Sequence, residues 1–145
     1  MKTTINPYLN FDGKAEEAFN FYKSVFGGEF SAIMKMSDAP NSADIPEIER
    51  NRVMHIALPI NKHTVLMASD IIPSFGHTLT EGNNAHLSVQ PCSREETERI
   101  YDSLSSGGTI EMPLADMFWG SYYGSFRDKF GIQWMVSYDK CPEDQ

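Results

Sequence analysis

Apolar residues recur at helical spacing in two stretches of the chain and alternate with polar ones in six shorter stretches. In "DGKAEEAFNFYKSVFGG", Ala15, Ala18, Phe19, Tyr22, Val25 and Phe26 fall on one face of a 3.6-residue period. Asp12 or Gly13 is placed to cap that helix, Glu16 and Glu17 suit its first turn, and Gly27-Gly28 ends it. "SREETERIYDSLSSGG" repeats the design: Ser93 and Glu96 have capping-box spacing, Thr97, Ile100, Tyr101 and Leu104 form the inner stripe, and Gly107-Gly108 stops it.

The two helices belong to two similar halves. Glu16-Glu17, Tyr22 and Gly28 recur 79 residues later as Glu95-Glu96, Tyr101 and Gly107. A short alternating strand precedes each helix, "PYLNF" and "AHLSV". After each helix comes an extended stretch and then a strand, a tight turn and a strand: "RVMHIAL", "PINKH", "TVLMASD" in the first half, "SYYGSF", "RDKFG", "IQWMVSY" in the second, shifted by 68. Each half therefore reads β-α-β-β-β, an internal duplication. The predicted organisation is one domain over residues 1–145, with modules at about 1–73 and 80–138. The polar, Pro-containing segment 37–51 is aperiodic and suits a mobile loop.

Composition narrows the function. With 20 acidic against 12 basic residues the net charge is -8, and no Lys/Arg cluster is present to neutralise phosphates, so nucleic acid is not an expected partner. No apolar run reaches the ~20 residues of a membrane span, and "MKTTINPYLNF" does not read as a signal peptide. Cys92 and Cys141 are too few and too far apart for a disulfide framework or zinc knuckle. A cytoplasmic protein with reduced thiols is expected.

"NPYLNFDGKAEEAFNFYKSVFGGE", "VLMASD" and "FWGSYYGSFRDKFGIQWMV" resemble the PhnB-like branch of the vicinal oxygen chelate superfamily, which includes glyoxalase I and the fosfomycin and bleomycin resistance proteins. The resemblance covers almost the whole chain. It implies an α+β fold in which duplicated β-α-β-β-β modules form two facing U-shaped mixed sheets around a cavity, and it implies a homodimer. Some members carry the name 3-demethylubiquinone methyltransferase-like. This chain has no G-x-G-x-x-G turn and no room for a Rossmann-like sheet beside the duplicated unit.

The resemblance also implies a divalent metal held by His and carboxylate ligands at four strand positions. Aligned on that pattern, the positions fall on Pro7, Met67, Asn84 and Met135. Proline has no side-chain donor and thioethers suit hard or borderline ions poorly, so neither metal nor cofactor is expected. His86 shares a face with Asn84, and His55 corresponds to Tyr123 through the 68-residue shift. These histidines either hydrogen-bond a ligand or neighbour, or form half of an unusual metal site. His63 and His77 are expected at the surface.

The segment Phe118–Tyr138, rich in rings and glycines, reads as a cavity wall and its backing core together. Trp119, Ser121, Tyr123 and Ser125 are assigned to the cavity side, and Tyr122, Phe126 and Trp134 to the helix layer. Candidate ligand-binding residues are His55, His86, Asn84, Trp119, Tyr123, Ser125, Met67 and Met135. Cys92 precedes a helix cap without a nearby base, and Ser88 and Ser125 lie outside any G-x-S-x-G context, so nucleophilic catalysis lacks support. Two functions stay open: a metal-independent small-molecule binder, or a lyase, isomerase or dioxygenase-type enzyme using an unusual metal site or His55 and His86 as acid and base.

Overall fold

A computed structural model describes residues 2–40 and 42–139. The chain divides into two compact units, Met1–Thr80 and Glu81–Gln145. In the first, β1 (Tyr8–Phe11) leads into α1 (Ala15–Phe26), followed by β2 (Ala32–Lys35), β3 (Val53–Pro59) and β4 (Val65–Asp70). In the second, β5 (Leu87–Val89) leads into α2 (Arg94–Ser105), then β6 (Thr109–Asp116), β7 (Tyr122–Arg127) and β8 (Gln133–Tyr138). Each unit forms one four-stranded sheet, in the orders β1-β4-β3-β2 and β5-β8-β7-β6. The first strand runs parallel to the last, and the other pairs are antiparallel. The predicted β-α-β-β-β duplication and mixed-sheet α+β class are what the chain adopts.

The predicted helix stripes become the two cores. Ala15 and Ala18 let α1 approach its sheet closely, and Phe19 meets Phe11 and Tyr22 edge-on at 6.4 and 5.6 Å. Complete burial of Phe19, Ile56 and Leu58 contributes about 1.5–3 kcal/mol each. In the second unit Tyr101 meets Phe126 edge-on at 5.4 Å. A Cβ at Gly124 would lie 2.6 Å from the Tyr101 ring, so glycine there lets helix and strand touch.

The cap of α1 differs from the sequence expectation. Neither Asp12 nor Gly13 serves; Asp12 pairs with Arg52 at 2.7 Å. The Ala15 N–H instead donates to Asp70 Oδ1 (3.0 Å), and Asp70 Oδ2 accepts from the Val53 N–H (2.8 Å). The end of β4 thus supplies a buried carboxylate to the positive end of the helix. In α2 the expected cap is present: the Glu96 N–H donates to Ser93 Oγ at 3.1 Å. The Glu96 carboxylate turns to Arg99, which holds it below the usual carboxylate range.

Three turns of 3-10 helix, Met36–Asp38, Ser42–Asp44 and Glu47–Glu49, occupy the stretch between β2 and β3. Met36 and Ile45 are buried with Ile72, and Met54 packs against them. Glu49 is buried too and accepts from the Ser74 N–H at 3.0 Å. Cys92 is exposed and free, whereas Cys141 lies outside the described residues.

Candidate functional site

Each sheet has one face covered by its own helix and one turned away from it. On the first sheet, Ile56, Leu58, Leu66, Ala68 and Asp70 are the buried, helix-side residues. The alternate positions form a row across the other face, Ala32 beside Ala57, Ala57 beside Met67, and Met67 beside Tyr8. Met34 and His55 pair on the same face. The Tyr8 hydroxyl lies 3.3 Å from His55 Nδ1, and the two rings stack at 5.8 Å. Tyr8 stays 46% exposed and Met34 40%.

On the second sheet the corresponding row is Met112 beside Ser125, Ser125 beside Met135, and Met135 beside Ser88. Tyr123 lies one pleat along, paired with Ser137. Trp119 meets the Tyr123 ring at 6.2 Å and Phe118 at 5.0 Å, and is 54% exposed. His86 directly precedes β5, and its Nε2 lies 3.7 Å from Glu111 Oε1 on β6. Gln133, on the same face as Met135, is already engaged. It donates to the Ala85 carbonyl at 2.8 Å and accepts from Arg127 at 3.1 Å, pinning the chain that enters β5.

These placements correct the strand assignment in three respects. Tyr8, not Pro7, stands beside Met67; Ser88, not Asn84, stands beside Met135. The pairing offset between the halves is therefore 88 − 8 = 80, not the 78 that superimposes "PYLNF" on "AHLSV". Asn84 lies in an exposed bend before β5. Trp119 is not on a strand; it occupies the turn before β7, where Gly120 takes φ +103°. Its ring nevertheless reaches the Tyr123 face. Ser125 is buried, whereas Tyr123, Met67 and Met135 are half-buried.

Sequence reasoning missed two partners, Tyr8 of His55 and Glu111 of His86. Both pairings join residues distant in the chain, so no local spacing announces them. At the row positions the chain offers two thioethers, a phenol and a hydroxyl, a set poorly matched to a hard or borderline divalent ion. Among the described residues no three His, Cys, Asp or Glu side chains gather as a metal site. No helix among them is long and apolar enough to cross a membrane.

A family model described as 3-demethylubiquinone-9 3-methyltransferase matches residues 3–137. The chain belongs to that family. Protein YjdN of Escherichia coli K12 is 30% identical over 141 residues, 92% of this chain and 93% of that protein. Among solved structures, PA1353 from Pseudomonas aeruginosa is 33% identical with a TM-score of 0.84, covering 96% of this chain and 99% of that one. The PhnB protein from Bacillus cereus is 28% identical with a TM-score of 0.74, covering 94% and 99%. At 15% identity and a TM-score of 0.56, a glyoxalase/bleomycin resistance protein/dioxygenase family enzyme from Burkholderia phytofirmans shares the fold, over 93% and 95% of the two chains. The chain thus resembles the PhnB protein in sequence and shares the fold of glyoxalase/bleomycin resistance proteins. Among the described residues parallel pairing is confined to β1–β4 and β5–β8, unlike the doubly wound sheet that cradles a methyl donor in Rossmann-type enzymes.

Proposed function

We propose that this chain is a small-molecule-binding protein that works without the usual metal of its superfamily. The ligand is small and partly aromatic or amphipathic, and it rests against a sheet face turned away from the helix of its unit. The observation carrying this reading is the contrast between the two faces of each sheet. Helix-side positions are filled by tightly packed apolar groups, while the opposite positions hold half-buried rings, thioethers and an imidazole. Such a surface, apolar with a few directional polar groups, suits recognition of a small molecule. Trp119 and Tyr123 offer ring faces, and His55 offers a hydrogen-bonding group held by Tyr8. A thermal-shift screen of aromatic and amphipathic compounds tests the reading. Hits whose stabilisation disappears in Trp119→Ala, for the second sheet, or in His55→Ala, for the first, support it, and a flat screen counts against it.

A second reading, acid–base catalysis by His86, is favoured by one observation: Glu111 lies beside its imidazole. Turnover that follows a histidine-like pH profile and vanishes in His86→Gln would decide for it.

The protein is further inferred to be a cytoplasmic homodimer. Ile33 and Met34 on edge strand β2, and Ile110 and Met112 on edge strand β6, are exposed, a pattern that suits a self-association surface. A sedimentation mass of one chain throughout the micromolar range would rule the dimer out.

A further inference from the structure

Away from the sheet rows, the first unit carries a separate pocket of about 390 Å³, lined by Met36, Ala39, Pro40, Asp44, Ile45, Met54 and Phe75. Its floor is apolar and firmly held, because Met36 and Ile45 are buried against Ile72 with Met54 packed on them. Two of its lining groups are directional. The Phe75 ring is 58% exposed and meets His77 edge-on at 6.0 Å. The Asp44 carboxylate has neither an ion pair nor a hydrogen bond among the described residues. The segment Met36–Met54 adds Asp38, Glu47 and Glu49 against two cations, Arg50, whose Nε donates to the Ile45 carbonyl, and Arg52, which pairs with Asp12.

We propose that this pocket binds a small organic ammonium ion with an apolar tail. An exposed carboxylate and an exposed ring lining one pocket are the two groups that attract an alkylammonium head, by charge and by the ring quadrupole respectively. The methionine floor is soft and unbranched, and it fits a short alkyl or aryl tail. An anion would meet net repulsion from this segment, where carboxylates outnumber cations. The inference is independent of ligand binding at the sheet faces, because none of the pocket residues belongs to the Met67 or Met135 rows.

Methionine methyl NMR separates the two locations. Met36 and Met54 report on the pocket, Met34 and Met67 on the face of the first sheet, and Met112 and Met135 on that of the second. Phenethylamine titrated into the intact chain should shift the Met36 and Met54 methyls and leave Met67 and Met135 in place. Phenylacetate and 2-phenylethanol should bind at least several-fold more weakly. Asp44→Asn should weaken phenethylamine about tenfold, and Phe75→Ala about threefold. Both side chains are exposed, so the variants should fold, which unchanged unfolding midpoints would verify. Silent Met36 and Met54 methyls at millimolar amine would overturn the proposal. So would equal binding of the neutral alcohol, unchanged affinity in Asp44→Asn, or shifts confined to Met67 and Met135.

Discussion

The hydroxyl of Tyr8 lies 3.3 Å from Nδ1 of His55, and their rings stack with 24° between the planes. With the phenol donating, Nδ1 is the acceptor and neutral His55 carries its proton on Nε2, aimed away from Tyr8. Nitrogen-15 spectra of the imidazole are expected to show this tautomer, and Tyr8→Phe should weaken the preference towards that of a free imidazole while keeping the stack. An Nδ1–H imidazole in the wild type would contradict the assigned polarity.

Asp70 joins the start of α1 to the start of β3 through two backbone hydrogen bonds from a buried carboxylate. Asp70→Ala leaves two N–H groups without that acceptor and should cost about 3 kcal/mol of stability in urea unfolding. Asp12→Ala removes only an exposed partner of Arg52 and should cost less than about 1 kcal/mol. Equal effects would mean that Asp70 is not the effective cap.

Gly124 and Gly82 should separate cleanly. At Gly124 a methyl would press on the Tyr101 ring at 2.6 Å and on Leu114 Cα at 3.0 Å, so Gly124→Ala should destabilise by about 1–3 kcal/mol. At Gly82 the nearest atom is Asn84 Oδ1 at 3.8 Å, and alanine there should change stability by less than about 0.5 kcal/mol. Denaturant midpoints of the two variants provide the comparison.

The alkaline limb of stability should depend on Tyr101. Burial, the largest influence, raises its phenol above the ordinary 10.0. The folded state then holds the proton more tightly than the unfolded one. This contribution is complete below pH 10 and is lost as pH rises through the raised value. Tyr101→Phe should show a shallower fall of unfolding free energy between pH 9 and 11 than the wild type. Parallel curves would mean that other groups set the limb.

Legibility in the sequence followed the range of each interaction. The helix stripes were readable because Phe19 with Tyr22, and Ile100 with Tyr101 and Leu104, meet the core through one local period. The 68-residue shift held because β3–β4 and β7–β8 are neighbours joined by short turns; Ile56 pairs with Ala68 as Gly124 pairs with Val136. Beside Met67, by contrast, the partner comes from β1, with the rest of the unit between them. Alternation left that register undetermined, and so Tyr8 was missed in favour of Pro7. Glu111 escaped notice for the same reason, since β6 and the entry to β5 meet only through the finished sheet. The even spacing of Trp119 from Tyr123 suggests a shared strand face, but Gly120 turns the chain between them.

The central claim is that the helix-free sheet faces bind a small molecule, and the most direct measurement is a methyl-NMR titration of a screening hit into wild-type protein and Trp119→Ala. The account predicts that a hit on the second sheet shifts Met135 and that loss of the Trp119 ring weakens its affinity by about threefold to tenfold. Methyl signals at Met34, Met67, Met112 and Met135 that stay fixed at saturating hit, or an affinity unchanged in Trp119→Ala, would contradict it.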